Sequence, residues 1–134
     1  NSGIVEAIDK GEIQIGLVNH YYIWEVSEGL GREIKVKNGF FRAGDIGNLI
    51  NVSGAGILAS SKKYSAAEDL INFLTSQKVQ EDFVSKTHEY SLLAGATSPA
   101  GLPTLLDIGA PAIDLEALKN ISVTQDLLVK VGLL

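Results

Sequence analysis

The sequence predicts an α/β fold, and three observations point there. Short runs rich in isoleucine and valine alternate with stretches of helical period. Glycine and Asn-Gly signals punctuate the chain where one kind of run gives way to the other. The strands are few, and all three prolines (Pro99, Pro103, Pro111) fall in one long loop over 95–114, so the expected sheet is incomplete.

The elements follow in order. Ile4, Val5, Ala7 and Ile8 share one face of a short helix that Gly11 ends. Residues 12–18 read as a buried strand with one glycine. Residues 22–29 read as a helix, with Ile23, Val26 and Leu30 at spacings of three and four and glycines at 29 and 31 to stop it. Residues 34–37 alternate like an exposed strand before the Asn38-Gly39 turn signal. Residues 48–59 are apolar and β-prone, interrupted by Gly54 and Gly56, where backbone or ligand is expected to come close.

The clearest helix covers 65–75. Ser65 and Glu68 stand at capping-box positions, and Ala66, Ala67, Leu70, Ile71, Phe73 and Leu74 form a broad core face. A second helix runs from 76 to about 86 with Val79, Phe83 and Val84 buried, and 90–93 suits a short strand. The final helix spans about 122–131, with Val123, Leu127, Leu128 and Val131 facing in.

Composition bounds the function. The 134 residues carry a formal net charge of −5 with no basic cluster, which argues against a nucleic-acid or anionic-membrane footprint. Hydrophobic residues at 46% and charged residues at 20% suit a globular domain. With no cysteine, disulfides, zinc-thiolate sites, iron–sulfur clusters and cysteine nucleophiles are excluded. No apolar run approaches the ~20 residues of a membrane span. The chain opens at Asn1-Ser2-Gly3, with neither a basic n-region nor an apolar h-region. The expectation is therefore a processed N-terminus or a segment of a longer protein.

Catalytic signatures are missing: no GxSxG, HExxH, GxxxxGKS or GxGxxG is present. Adjacent carboxylates at 68/69 and 81/82 point apart on a helix and read as a solvated face. His88, just past a helix, reads as structural, and Trp24 as a core anchor. The pair Tyr21-Tyr22 is open to two readings. On a regular strand end the two rings pack on opposite faces. Where a strand turns into a helix, both can converge on the cleft at the strand's carboxyl end, where α/β folds place ligands. Two phenols are poor ligands for weak Lewis acids at neutral pH, since their pKa is about 10. A trivalent cation such as ferric iron inverts that preference and stabilises phenolate.

Residues 11–22, ending Asn19-His20-Tyr21-Tyr22, resemble the tyrosine-pair segment of the bacterial ferric-iron-binding proteins of ABC importers, which are solute-binding proteins. The likeness continues through 44–56, through 66–76 with Gln80 and Phe83, through Glu89-Tyr90, and through Ala110-Pro111-Ala112-Ile113-Asp114-Leu115 to the closing Val131-Gly132-Leu133-Leu134. The Asn-x-Tyr-Tyr pattern is the part specific to iron.

The resemblance implies a periplasmic-binding-protein-like (type II) fold of two α/β lobes joined by hinge strands. This chain would be its C-terminal portion (1–134), with 48–58 a hinge-crossing strand and the N-terminal half absent. It implies that Tyr21 and Tyr22 coordinate Fe(III), and that Asn19 contacts a synergistic anion. The remaining ligands would come from the absent lobe, so iron is expected to be weakly bound or absent in this fragment. His20 sits at the variable position and, on a strand, alternates away from Asn19 and Tyr21. The implied protein is a binding module rather than an enzyme. It is periplasmic, or lipid-anchored outside the membrane, and its partners are permease subunits and the missing lobe. Surfaces that face the missing lobe leave room for a non-native dimer. Two rivals stand beside this reading: a same-fold protein for phosphonate, sulfate or polyamine, and a small hydrolase or transferase using His88 or His20 as base.

Overall fold

The structure is a computed structural model that describes residues 1–113, 116 and 119–134. Asp114 and Leu115 of the resembling segment lie outside the described residues. Among the described residues, six α-helices follow one another: α1 (Ser2–Lys10), α2 (Tyr22–Leu30), α3 (Tyr64–Leu74), α4 (Gln77–Thr87), α5 (Leu105–Ile108) and α6 (Ile121–Lys130). A 3₁₀ turn, Ile46–Asn48, precedes α3. None is long and apolar enough to cross a membrane.

The first two helices end at glycines that the sequence offers. Gly11 and Gly31 take the left-handed conformation (φ 80° and 63°), a backbone region glycine enters without steric cost. The next amides, of Glu12 and Arg32, return to the Ala7 and Ser27 carbonyls, so orphan carbonyls at both helix ends are satisfied. Gly29 lies inside α2 and stops nothing. α3 starts at Tyr64, one residue earlier than expected, and no side chain caps it, so the Ser65/Glu68 capping box does not form. The capping box that does form is at α5. There Thr104 Oγ1 accepts from the Asp107 amide (3.1 Å) and the Asp107 carboxylate accepts from the Thr104 amide (3.2 Å).

The sheet is where expectation and structure part. Among the described residues, none of the segments 12–18, 34–37, 48–59 and 90–93 pairs in a ladder, so the α/β class is realised in its helices only. A strand exists only when a neighbour completes its hydrogen bonds, and none of these four segments is joined to another by a ladder. Several of their apolar side chains stay in solvent, with Ile15 82% and Leu17 78% exposed, while Ile34, Val36 and Ile57 are half-buried. In 12–18 the Glu12 amide donates to the Ala7 carbonyl of α1, and Gly16 lies against the same helix. It passes so close to Ile4 of α1 that a β-carbon there would overlap that side chain. Among the described residues, a β-carbon at Gly54 or Gly56 would meet nothing within 4 Å, so no close approach there accounts for those glycines.

Burial is correspondingly local. α1 packs on α2 and α3 on α4. Among the described residues the apolar interior is Val5, Val26, Val84, Pro99 and Ile108. The expected face of α3 is only partly covered, with Leu70 and Phe73 exposed. In α6, Val123, Leu127 and Val131 are exposed and only Leu128 is half-buried. A second tie is polar. Asn48, 5% exposed, accepts from the Phe41 amide (2.9 Å) and donates to the carbonyls of Phe41, Arg42 and Ile108. That one amide satisfies backbone groups from two distant segments, as a buried polar group must.

Candidate metal centre

The tyrosine pair sits where α2 begins. Tyr21 is the residue before the first turn and already helical (φ −72°, ψ −17°), and Tyr22 opens the helix. The Tyr22 amide reaches back to the Asn19 carbonyl (3.2 Å), which folds 19–22 into a turn. Because the backbone curls here and does not run on as a strand, the two side chains do not diverge. Their rings stack, with centroids 4.8 Å apart and planes 28° from parallel. The opposite-faces reading therefore does not hold, and the two rings lie together on one side of the turn.

Asn19 turns its amide onto the pair. Its Nδ2 donates to Tyr21 Oη at 3.3 Å, and its backbone amide donates to the Asn1 side chain. An amide nitrogen carries two hydrogens, so one remains for another acceptor.

His20 departs from the strand expectation. Its ring lies against Tyr21, edge to face at 5.6 Å, and against Tyr90 at 5.0 Å. Its Nε2 donates to the His88 carbonyl at 2.7 Å, which places the imidazole proton on that nitrogen. Asn38 Nδ2 donates to the His20 carbonyl (3.0 Å), so this residue is held by main chain and side chain alike. His88, past the end of α4, takes a left-handed backbone (φ 57°), which is uncommon outside glycine but tolerated by histidine. Its ring stacks on Trp24 at 4.4 Å and 17°. Tyr90 Oη donates to the Pro103 carbonyl (2.7 Å).

The electrostatics keep Tyr21 a neutral phenol in the metal-free state. Burial raises its pKa above the ordinary value, and the Tyr22 phenol and the Glu89 charge add to the rise, while the Asn19 amide pulls the other way. Tyr90 is also raised, by burial. A cation bound here must displace phenol protons, and a highly charged one can do so. Among the described residues no group of three or more His, Cys, Asp or Glu side chains stands together as a ready metal cage. Two phenol oxygens would leave most of a six-coordinate shell open. The contacts of His88, Tyr90 and Asn38 with this turn were not foreseen, because they join residues 18 to 70 positions apart along the chain.

No protein-family model matches the chain. It is 32% identical, along its whole length, to the Fe(3+)-binding periplasmic protein of Serratia marcescens, covering 40% of that protein. It is 31% identical over 84% of its length to the major ferric iron-binding protein of Neisseria meningitidis serogroup A, covering 34% of it. The crystal structure of iron-bound HitA from Pseudomonas aeruginosa superposes on 98% of this chain with a TM-score of 0.86 at 28% identity, the match covering 43% of HitA. The chain is thus a homologue of periplasmic ferric iron-binding proteins and spans about two fifths of the length of the relatives it matches.

Proposed function

We propose that this homologue of the periplasmic ferric iron-binding proteins is the C-terminal portion of an extracytoplasmic Fe(III)-binding component of an ABC importer. The carrying observation is the stacked Tyr21–Tyr22 pair at the start of α2, in a chain similar along its whole length to proteins named for ferric iron. In this reading both phenols bind Fe(III) as phenolates. Two negative charges offset part of the ion's charge, and the N-terminal end of α2 favours negative charge beside it. Asn19 holds Tyr21 with one amide hydrogen and offers the other to a synergistic anion. The remaining ligands come from the rest of the protein.

The same reading accounts for the unpaired segments. Residues 48–58 cross between lobes as a hinge strand, and the exposed runs complete their ladders with strands outside this chain, giving the two-lobed type II α/β fold. Hinge closure buries the iron, and the closed form delivers it to permease subunits. The module binds and hands over its cargo and catalyses no reaction.

Adding Fe(III) with a synergistic anion to a full-length protein carrying this chain should produce a visible tyrosinate-to-iron charge-transfer band. Tyr21→Phe with Tyr22→Phe should abolish it, and each single change should weaken it. Lowering the pH should release iron, because protons compete for the phenolates. The 134-residue chain alone should bind weakly or not at all. A colourless protein that binds an anion tightly would overturn the iron assignment.

A further inference from the structure

We propose that His20 and His88 are positioning residues that form a reciprocal clamp on the tyrosine pair and hold its two phenols in one orientation before any ion arrives. Each histidine fastens one element to the other. His20, beside the pair, donates its Nε2 hydrogen to the His88 carbonyl beyond α4 (2.7 Å). His88 sends its own ring back onto Trp24, in the first turn of α2 (4.4 Å, 17°). Tyr21 and Tyr22 lie in the sequence between these two attachment points, His20 and Trp24.

Packing closes the circuit. The Tyr21 ring has Tyr22 against it at 4.8 Å and the edge of His20 at 5.6 Å. The His20 ring is backed in turn by Tyr90 at 5.0 Å, and Tyr90 is tied through its hydroxyl to Pro103. Asn38 fixes the His20 carbonyl from a third segment. His88 accepts a left-handed backbone to make its half of the clamp. A phenol with several rotamers must lose that freedom on binding, and a phenol already held does not. Side chains that orient metal ligands typically change metal affinity by about 10–100-fold when removed.

The metal half of this inference rests on the ferric reading above, so its test has one arm with metal and one without. The metal-free arm follows cross-ring NMR contacts between Tyr21 and Tyr22 in this chain. The second arm titrates Fe(III), supplied as its citrate complex, into a full-length protein carrying it and records affinity and the position of the charge-transfer band. His20→Phe keeps a ring and removes the donor. His20→Gln keeps an amide donor. His88→Gly keeps the accepting carbonyl, tolerates φ 57° without strain and removes the Trp24 stack.

The expected result is loss of the Tyr21–Tyr22 contacts in His20→Phe and His88→Gly, with about 10–100-fold weaker Fe(III) binding and a shifted band. His20→Gln should retain both. Helix content by circular dichroism should match wild type in the variants compared, and if His20→Phe fails to fold, His88→Gly decides. Unchanged ring contacts in His20→Phe or in His88→Gly overturn the clamp, and so does a His20→Gln variant as impaired as His20→Phe. A wild-type protein with no charge-transfer band overturns the ferric reading alone, and the ring contacts then decide the clamp by themselves.

Discussion

Helix α1 buries Val5 completely where it packs on α2, whereas α6, also patterned with apolar residues at helical spacing, buries none of them. Both helices are capped by their own ends: Gly11 closes α1, and Asn120 Oδ1 accepts from the Val123 amide at the start of α6. The difference lies in what stands opposite. α1 has α2, reinforced by Asp9, whose carboxylate accepts from Arg32 and from the Lys35 amide. α6 leaves Val123, Leu127 and Val129 about 60% exposed. An apolar stripe states that a helix wants a partner, and only the rest of the structure decides whether it has one.

The contrast can be broken, and the most forceful attempt is at its buried end. Val5→Asp places an uncompensated carboxylate where no water reaches. A loss of about 3–5 kcal/mol is expected, read by denaturant unfolding of the helical signal. A mild effect would mean that the α1–α2 contact opens readily. Asn48→Ala comes next. It strips partners from the Phe41 amide and from three carbonyls, and about 1–3 kcal/mol should be lost in the same measurement.

A pH series sharpens the α1–α2 side further. The Asp9 carboxyl is held below its ordinary value, first by the Arg32 hydrogen bond and then by the Lys35 amide. A group whose folded pKa is depressed contributes in full above its unfolded value, about 4, and loses that contribution as pH falls through the lowered folded value. Asp9→Asn should therefore melt below wild type at neutral pH, and the gap should close in acid. A gap that persists below pH 3 would assign the effect to packing. The smallest effect is expected at α6. Leu127→Asn, already 57% exposed, should change stability within about ±0.5 kcal/mol. A larger loss would show that α6 is covered in solution.

Much of the helical layer was legible. The pattern over 76–86 gives α4 within one residue, and Gly11 caps α1 where short-range chemistry says. The tyrosine pair was legible as a residue type and as a place, a turn into a helix. That the two side chains do not diverge was only one of two open readings, because the backbone angle at Tyr21 decides it, and their stacking was not read at all. The His20–His88 bond spans 68 positions and the Asn48–Ile108 bond spans 60. No local period carries such a contact. The β-prone runs were read by intrinsic preference, and preference supplies no ladder partner.

The stack of Trp24 on His88 also makes the region observable. The chain contains a single tryptophan, two residues after the tyrosine pair and face to face with one of the two clamp histidines. All indole emission therefore comes from this one place. A change in the imidazole's distance or charge should alter its quenching, without any label. The candidate site is built next to its own optical probe, so opening of the turn, arrival of a coloured ion and detachment of His88 can be followed in one fluorescence trace.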